Sequence, residues 1–279
     1  MKDLSGKTAL LTGASGGLGR YIASALAERG MNLSLAAYPG EGLESLKDTV
    51  TQKGGRVLIL VANLRHGSEL RRLVEQTNQE FGRIDVLVNN AGLEYTAAYH
   101  ELAEENIPDI IGVNLEAPML LTRLVLPAML ERRCGHIVNM SSLAGKSGPA
   151  FQEPYAATKA GLIAFTASLR ATYRGTGVSA SVICPGFVEA GIYAKLKRDT
   201  GCAAPALLGT SPPEPVARAV VRAIEHDLPE VIVNPLPVRP LFATATLFPR
   251  VGEFLIRQTG AHKFFGRVAE ALKSRRRGG

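Results

Sequence analysis

Tyr155 and Lys159 stand four residues apart in a run, Tyr155 to Leu169, whose pattern predicts a helix. Residues at i and i+4 share one helical face, so the phenol and the ammonium can point into the same space. A cation beside a phenol favours the phenolate and draws its pKa down from the ordinary value of about 10. A tyrosine tuned in that way is a proton donor and acceptor. Pairs at this spacing are also ordinary on helix surfaces, so the pair needs support from the rest of the chain.

The elements that must position the pair begin at the N-terminus. Lys7 to Thr12 (KTALLT) is a short apolar run that flows into Gly13-Ala14-Ser15-Gly16-Gly17-Leu18-Gly19, after which Ile22, Ala23, Leu26 and Ala27 recur with helical period. Strand, glycine turn and helix, in that order, let a backbone approach a diphosphate while the first helical amides face it. Asn32 to Ala37 predicts a second strand. In a dinucleotide fold an acid at its end bonds the adenosine ribose, and an Arg there pairs with a 2′-phosphate. Ala37 and Tyr38 are neither. The missing acid tilts the expectation towards NADP over NAD, with Ser15 and Tyr38 as polar contacts.

Further strands are predicted at 56–62, 84–88, 135–140, 177–184 and 230–234, with helices over 68–81, 104–132 and 212–226. The strand at 56–62 (RVLILVA) reads as a buried type and is followed by Asn63-Leu64. The fourth strand ends in Asn89-Asn90-Ala91-Gly92, where asparagine amides can tie neighbouring strands and Ala91 and Gly92 leave room for a flat ligand. The fifth ends at Ser141-Ser142 and the sixth in Pro185-Gly186. Asn114 falls within the long 104–132 helix, where an Asn on an apolar face is ordinarily a polar core residue or faces solvent. Such alternation predicts an α/β fold, a doubly wound parallel sheet with helices on both faces. Ligands in such sheets lie beyond the carboxyl ends of the strands. Gly13, Asn89, Ser142 and Pro185 all fall at such ends, so one crevice can collect them.

Bulk properties bound the remaining choices. A chain of 279 residues with 46% apolar and 20% charged residues fits a globular protein with one large core. No uninterrupted apolar run reaches the roughly 18 residues of a spanning helix. Met1 to Lys7 contains no apolar signal core, which argues against export. The scattered Cys134, Cys184 and Cys202 fit reduced thiols in a cytosolic protein better than disulfides or a metal site. The net charge of +7 is uneven: from Arg239 onward nine Lys/Arg face only Glu253 and Glu270, so residues 1–238 carry no net charge. That shift predicts a boundary between a nucleotide-binding catalytic unit, 1–238, and a basic amphipathic helical tail, 239–279.

With these motifs in place, residues 5 to 235 resemble the short-chain dehydrogenase/reductase family. Thr12 to Gly19 looks like its cofactor loop, Asn89 to Gly92 its sheet motif, Tyr155 to Lys159 its catalytic motif with Ser142 thirteen residues before the tyrosine, and Pro185-Gly186 its nicotinamide turn. The resemblance implies a Rossmann fold binding NADP or NAD, a homo-oligomer, and no metal. It implies Tyr155 as general acid in ketone reduction and base in reverse. Lys159 would lower the tyrosine pKa and bond the nicotinamide ribose. Ser142, rather than Ser141, would share the charge on the substrate oxygen, and Asn114 would hold a water joining Lys159 to solvent. Gly13, Ser15, Gly17, Leu18, Gly19, Tyr38, Asn63, Leu64, Asn90, Ala91, Gly92, Tyr155, Lys159, Pro185, Gly186 and Val188 would hold the cofactor. The chain departs from the family at Asn63, where an Asp is frequent, and at Ala190, where a Thr caps the nicotinamide amide.

The resemblance is silent on the last forty residues. Leu241, Ala245, Leu247, Phe248, Val251, Phe254 and Leu255 can line one helical face, and Phe264, Phe265, Val268, Ala269 and Leu272 another, before Arg275-Arg276-Arg277. Three readings follow: helices packed on the body or a partner subunit, an interfacial membrane anchor, and, least supported, a nucleic-acid contact. No nucleic-acid partner is expected. The expected substrate is a lipophilic alcohol or carbonyl compound, from Leu143, Phe151, Phe187, Ile192, Tyr193 and Leu196 near the expected mouth. Cytoplasmic placement is expected, with membrane association through the tail as the alternative. The competing function is a nucleotide-binding redox sensor or scaffold without turnover, which a broken Ser/Tyr/Lys set would favour; here the set is whole.

Overall fold

The computed structural model describes residues 1–278, with side chains described through Arg275. Arg276 and Arg277, part of the predicted basic end, lie outside the described side chains. Seven strands, β1 (Thr8–Thr12), β2 (Asn32–Ala37), β3 (Val57–Val61), β4 (Val86–Asn89), β5 (Gly135–Met140), β6 (Val178–Pro185) and β7 (Glu230–Val233), form one parallel sheet in the order β3-β2-β1-β4-β5-β6-β7. The strand order reverses between β1 and β4, which opens a crevice beyond their carboxyl ends.

Both faces of the sheet are covered, which is why its strands read as near-continuous apolar runs. Side chains alternate between faces. Ala9 and Leu11 of β1 pack with α1 (Gly17–Ala27), α2 (Leu43–Thr51) and a later helix at Pro213–His226. Leu10 points the other way, towards α3 (Gly67–Phe81) and the helix at Ala117–Glu131. The predicted buried strand at 56–62 is instead the sheet edge: Val57, Leu58 and Ile59 are half-buried and Val61 is 52% exposed. Its apolar composition reflects the face packing of an edge strand, and a run of residue types carries no record of which strand ends the sheet.

The predicted uninterrupted helix over 104–132 is broken. It begins as α4 (Asn106–Ile111), passes through a π-helical segment at Gly112–Glu116, and continues as α5 (Ala117–Glu131). The run Asn106–Glu131 has the length and mean hydropathy, 1.4, of a membrane span, but half of it is buried against the fold. After β5 come a short α6 (Ala144–Ser147) and α7 (Glu153–Thr172), which carries Tyr155 and Lys159. The chain then adds α8 (Gly191–Thr200), α9 (Pro213–His226) and three tail helices, α10 (Arg239–Leu247), α11 (Pro249–Gln258) and α12 (Ala261–Gly278).

The tail does not keep the predicted single apolar face over 241–255. Of its residues Leu241, Ala245 and Leu255 are half-buried and Leu247, Phe248, Val251 and Phe254 exposed, while the buried positions are Phe242 and Ile256, which that face did not include. The division arises because α10 and α11 form a tight helical hairpin. A Cβ on Gly252 would lie 2.3 Å from Ala245 Cα, so only glycine permits this approach. The predicted 264–272 face is buried as expected: Phe264, Phe265 and Val268 pack with Tyr193 and Leu196 of α8.

Candidate active site

The glycine turn closes the top of β1. Gly13 has φ +64, and a Cβ there would lie 2.7 Å from Ala91 Cα. Asn90 locks the contact by donating from Nδ2 to the carbonyls of Thr12 and Gly13, each at 3.0 Å. The Thr12 hydroxyl accepts the Asn90 and Ala91 amides at 3.0 and 3.2 Å. Deeper in the sheet Asn89 Nδ2 donates to Asn139 Oδ1 at 2.8 Å, tying β4 to β5 as the sequence suggested. No side chain caps the N-terminus of α1, so its first amides are left for a ligand, and Gly16, Gly17 and Leu18 border an open cavity.

That cavity has a volume of about 790 Å³ and runs from Ser15, Tyr38 and Asn63 past Gly92 to Ser142, Tyr155 and Lys159. Every predicted site residue lines it except Gly19 and Asn114. Gly19 acts through packing, since a Cβ there would sit 2.1 Å from the Gly13 carbonyl oxygen. Asn114, fully buried in the π-helical segment, braces Leu93: its Nδ2 donates to the Leu93 carbonyl at 2.9 Å and its Oδ1 accepts the Leu93 amide at 2.7 Å. It also donates to Thr158 Oγ1 at 3.3 Å. The extra residue of a π turn re-aims this side chain at the β4 loop.

Tyr155 and Lys159 share one face of α7, with Lys159 Nζ 5.5 Å from the phenol ring centroid. The Tyr155 phenol and the Ser142 hydroxyl both border the cavity, and the serine favours the phenolate. Ser142 Oγ also accepts the Ala144 amide at 3.1 Å. Ser141, by contrast, spends its hydroxyl on the Lys159 carbonyl at 2.7 Å. The register of β5 therefore assigns structural work to one serine and presents the other to the phenol.

The expected electrostatics need correcting. Burial pushes the Tyr155 phenol above its ordinary value; the nearby Ser142 hydroxyl pulls against this and the Glu94 charge adds to it. Lys159, donating to the Met140 carbonyl at 2.9 Å, is itself pushed down to about 8 by burial. A dry site penalises each charged form before the pair can favour the other's charge.

The segment after β6 folds back over the glycine loop. A Cβ on Gly17 would come within 1.9 Å of the Gly191 amide nitrogen. Val188, whose carbonyl accepts the Ala190 amide at 2.6 Å, pairs there with Ser211. The far wall of the cavity is apolar and comes from Phe187 and Ile192 together with Phe242, Ile256 and Phe265 of the tail. Sequence reasoning missed Arg65, Glu94, Thr96 and Gln152, all of which border the cavity. Glu94 lies two residues beyond Gly92 and Gln152 three before Tyr155, so proximity to recognised motifs was the available signal.

Comparison with known proteins fits this geometry. The profile of the short chain dehydrogenase family matches residues 7–201. The chain belongs to the short-chain dehydrogenase family. It is an NAD(P)-dependent oxidoreductase acting on CH–OH and C=O groups. This short-chain dehydrogenase is 45% identical over 238 residues to the ketoacyl reductase HetN of Nostoc sp., covering 85% of this chain and 82% of that protein. It is 36% identical over 197 residues to the 3-oxoacyl-[acyl-carrier-protein] reductase FabG of Salmonella typhimurium, covering 71% and 80%. A metagenomic short-chain oxidoreductase solved in complex with NADP superposes with a TM-score of 0.71 at 32% identity, covering 84% and 99%. Levodione reductase superposes with a TM-score of 0.76 at 26% identity, covering 82% and 96%.

Proposed function

We propose that this dehydrogenase interconverts a secondary alcohol and a ketone or aldehyde on a lipophilic small molecule, with a preference for NADP. The observation that carries this reading is the placement of the Tyr155–Ser142 pair at the floor of a cavity whose far wall is apolar. NADP(H), when bound, supplies or accepts the hydride. The open α1 N-terminus and the Gly13–Ala91 contact make a cradle suited to its diphosphate. Ser15, Tyr38, Asn63 and Leu64 would hold its adenosine end, and no acid at the end of β2 repels a 2′-phosphate.

In reduction, Tyr155 gives its proton to the carbonyl oxygen while Ser142 donates a hydrogen bond to the charge developing there. In oxidation Tyr155 takes that proton back. Lys159 holds the nicotinamide ribose and favours the phenolate that Tyr155 becomes. Asn114 fixes the Gly92–Leu93 turn beside the ammonium and holds a water that relays its protons. Pro185, Gly186 and Val188 confine the nicotinamide side. The relatives' names put 3-oxoacyl thioesters first in a ketone panel. The test follows NADPH absorbance across that panel together with cofactor fluorescence. Oxidation by at least one ketone is expected; cofactor binding without any turnover would favour a redox sensor.

Residues 239–278 act as a hood over this site and as its contact with a membrane surface. Leu247, Phe248, Val251 and Phe254 are 49–72% exposed on the outer face of the α10–α11 hairpin, among exposed Arg250 and Arg257. Apolar side chains flanked by cations suit an anionic headgroup layer. The inner face of the hairpin lines the cavity, so truncation would damage the site; substitution is the cleaner test. Vesicles of phosphatidylserine and phosphatidylcholine should float the intact chain but not Leu247→Ser/Phe254→Ser, and equal flotation removes the idea. Exposed Ile111, Met119 and Leu120 on the 106–131 helices support self-association, read by sedimentation. Three free cysteines suit a reducing cytoplasm.

A further inference from the structure

Glu94 is a carboxylate in the wall of a largely apolar cavity, and the catalytic chemistry above does not use it. Two buried neighbours grip one of its oxygens. Gln152 Nε2 donates to Oε1 at 2.9 Å, and the Thr96 hydroxyl donates to the same atom. Among the described residues nothing bonds Oε2. Gln152 and Thr96 are each 3% exposed, so the carboxylate is held in one orientation. Glu94 itself is half-buried and its remaining oxygen is open to the cavity, so a substrate that fills the cavity must replace the bond that water would make there. The groups facing it are Tyr155 from α7, which feels its charge, and Lys195 from α8, whose charge favours the ionised form.

We infer that Glu94 is a specificity residue whose Oε2 accepts a hydrogen bond from a second polar group, a hydroxyl, on the carbonyl substrate. This rests on the reductase reading and names the substrate class more narrowly: hydroxyketones in place of plain ketones. Gln152 and Thr96 are positioning residues that act through Glu94. Burial also holds the Glu94 carboxyl above the usual carboxylate range. Because Oε1 is occupied by two donors, a proton taken up at acid pH goes to Oε2. The group then donates where it had accepted, and the preference shifts from hydroxyl towards ether.

The test uses the full chain with NADPH and matched probes: acetophenones bearing hydroxyl at the 2-, 2′-, 3′- or 4′-position, each against its methyl ether. In the wild type at least one hydroxyl ketone should exceed its ether about ten-fold or more in kcat/KM, as a hydrogen bond to a charged group allows. That ratio should fall towards one in Glu94→Leu and shrink on acidification in the wild type. In Glu94→Gln the amide oxygen takes the place of Oε1 between Gln152 and Thr96 and the NH2 donates where Oε2 accepted, so the ratio should be low and insensitive to acid. A merely structural loss lowers both members of a pair and leaves the ratio. A ratio in Glu94→Leu equal to that of the wild type would overturn the assignment; should Glu94→Leu not fold, a Glu94→Gln ratio that shrinks on acidification as the wild-type ratio does would overturn it. So would a wild type that discriminates within no pair. Failure of the wild type to reduce any ketone, thioesters included, would instead remove the reductase reading beneath it.

Discussion

Gly17, at the start of α1, faces Gly191, at the start of α8, so closely that a Cβ on the first would lie 1.9 Å from the amide nitrogen of the second. The two loops, 174 positions apart, meet above the groove where the diphosphate would lie. Gly17→Ala must therefore push the α8 entry outward or displace the glycine loop. The expected result is a loss of NADPH affinity of ten-fold or more with a stability loss of about 1–3 kcal/mol, typical of overpacking. Fluorescence titration and thermal unfolding read both, and unchanged affinity would show that the loops move freely.

Tyr155→Phe keeps the ring that packs beside Lys159 and removes the hydroxyl that faces the cavity with Ser142. Turnover should fall by about 10²–10⁴, the usual worth of a positioned general acid. NADPH binding should stay within a few-fold. Near-normal turnover would refute the acid assignment.

Acid sensitivity should come from the other end of the sheet. His136 is 2% exposed, and burial pushes its imidazole down to about 4. Its Nε2 lies 2.8 Å from Ser181 Oγ, whose hydroxyl donates to the Leu228 carbonyl at 2.5 Å. The unfolded chain binds a proton near pH 6.5 and the folded chain resists it down to about 4. Between those values the unfolded state holds more protons, so stability falls as pH falls, by about 3 kcal/mol in total. His136→Gln should flatten the denaturation midpoint across that window, while an equally steep wild-type and variant profile would assign the effect elsewhere.

The hood makes its own prediction. Phe264 is fully buried and stacks edge-on with Phe187 at 5.1 Å and Phe265 at 4.9 Å. Phe264→Ala should cost about 3–5 kcal/mol locally. Because Phe187 and Phe265 line the cavity, kcat/KM for long-chain ketones should drop through KM while cofactor affinity is retained. Unaltered kinetics would separate α12 from the substrate wall.

The strand-to-turn junctions were legible because the chemistry there is local. Glycine where a Cβ would meet a backbone, and asparagine at a strand end, announce themselves in sequence. Asn114 was legible as a residue and not as a geometry, since a π turn leaves no distinct spacing in an otherwise helical run. The edge position of β3 depends on which strands pair, and Val57 to Val61 alone cannot encode that. In the tail, Phe242 and Phe248 look equivalent by composition; the Gly252–Ala245 contact sends one inward and the other out. The raised Tyr155 phenol was misread because spacing registers the nearby cation but not the burial. Glu94 escaped notice because a single acid after a glycine motif has no period to betray it.

The order in which the cavity walls occur along the chain has a consequence for biosynthesis. Among the described residues all seven strands precede Arg239, so the nucleotide half can assemble before the tail helices are made. The wall facing the substrate follows the sheet in the chain and emerges after it. Until it docks, Phe187, Tyr193 and Leu196 have no α12 to cover them, and the nascent enzyme presents an oily mouth beside a finished dinucleotide groove. Early NADP binding would steady the folded half through that interval and leave the hood to close on a preformed floor.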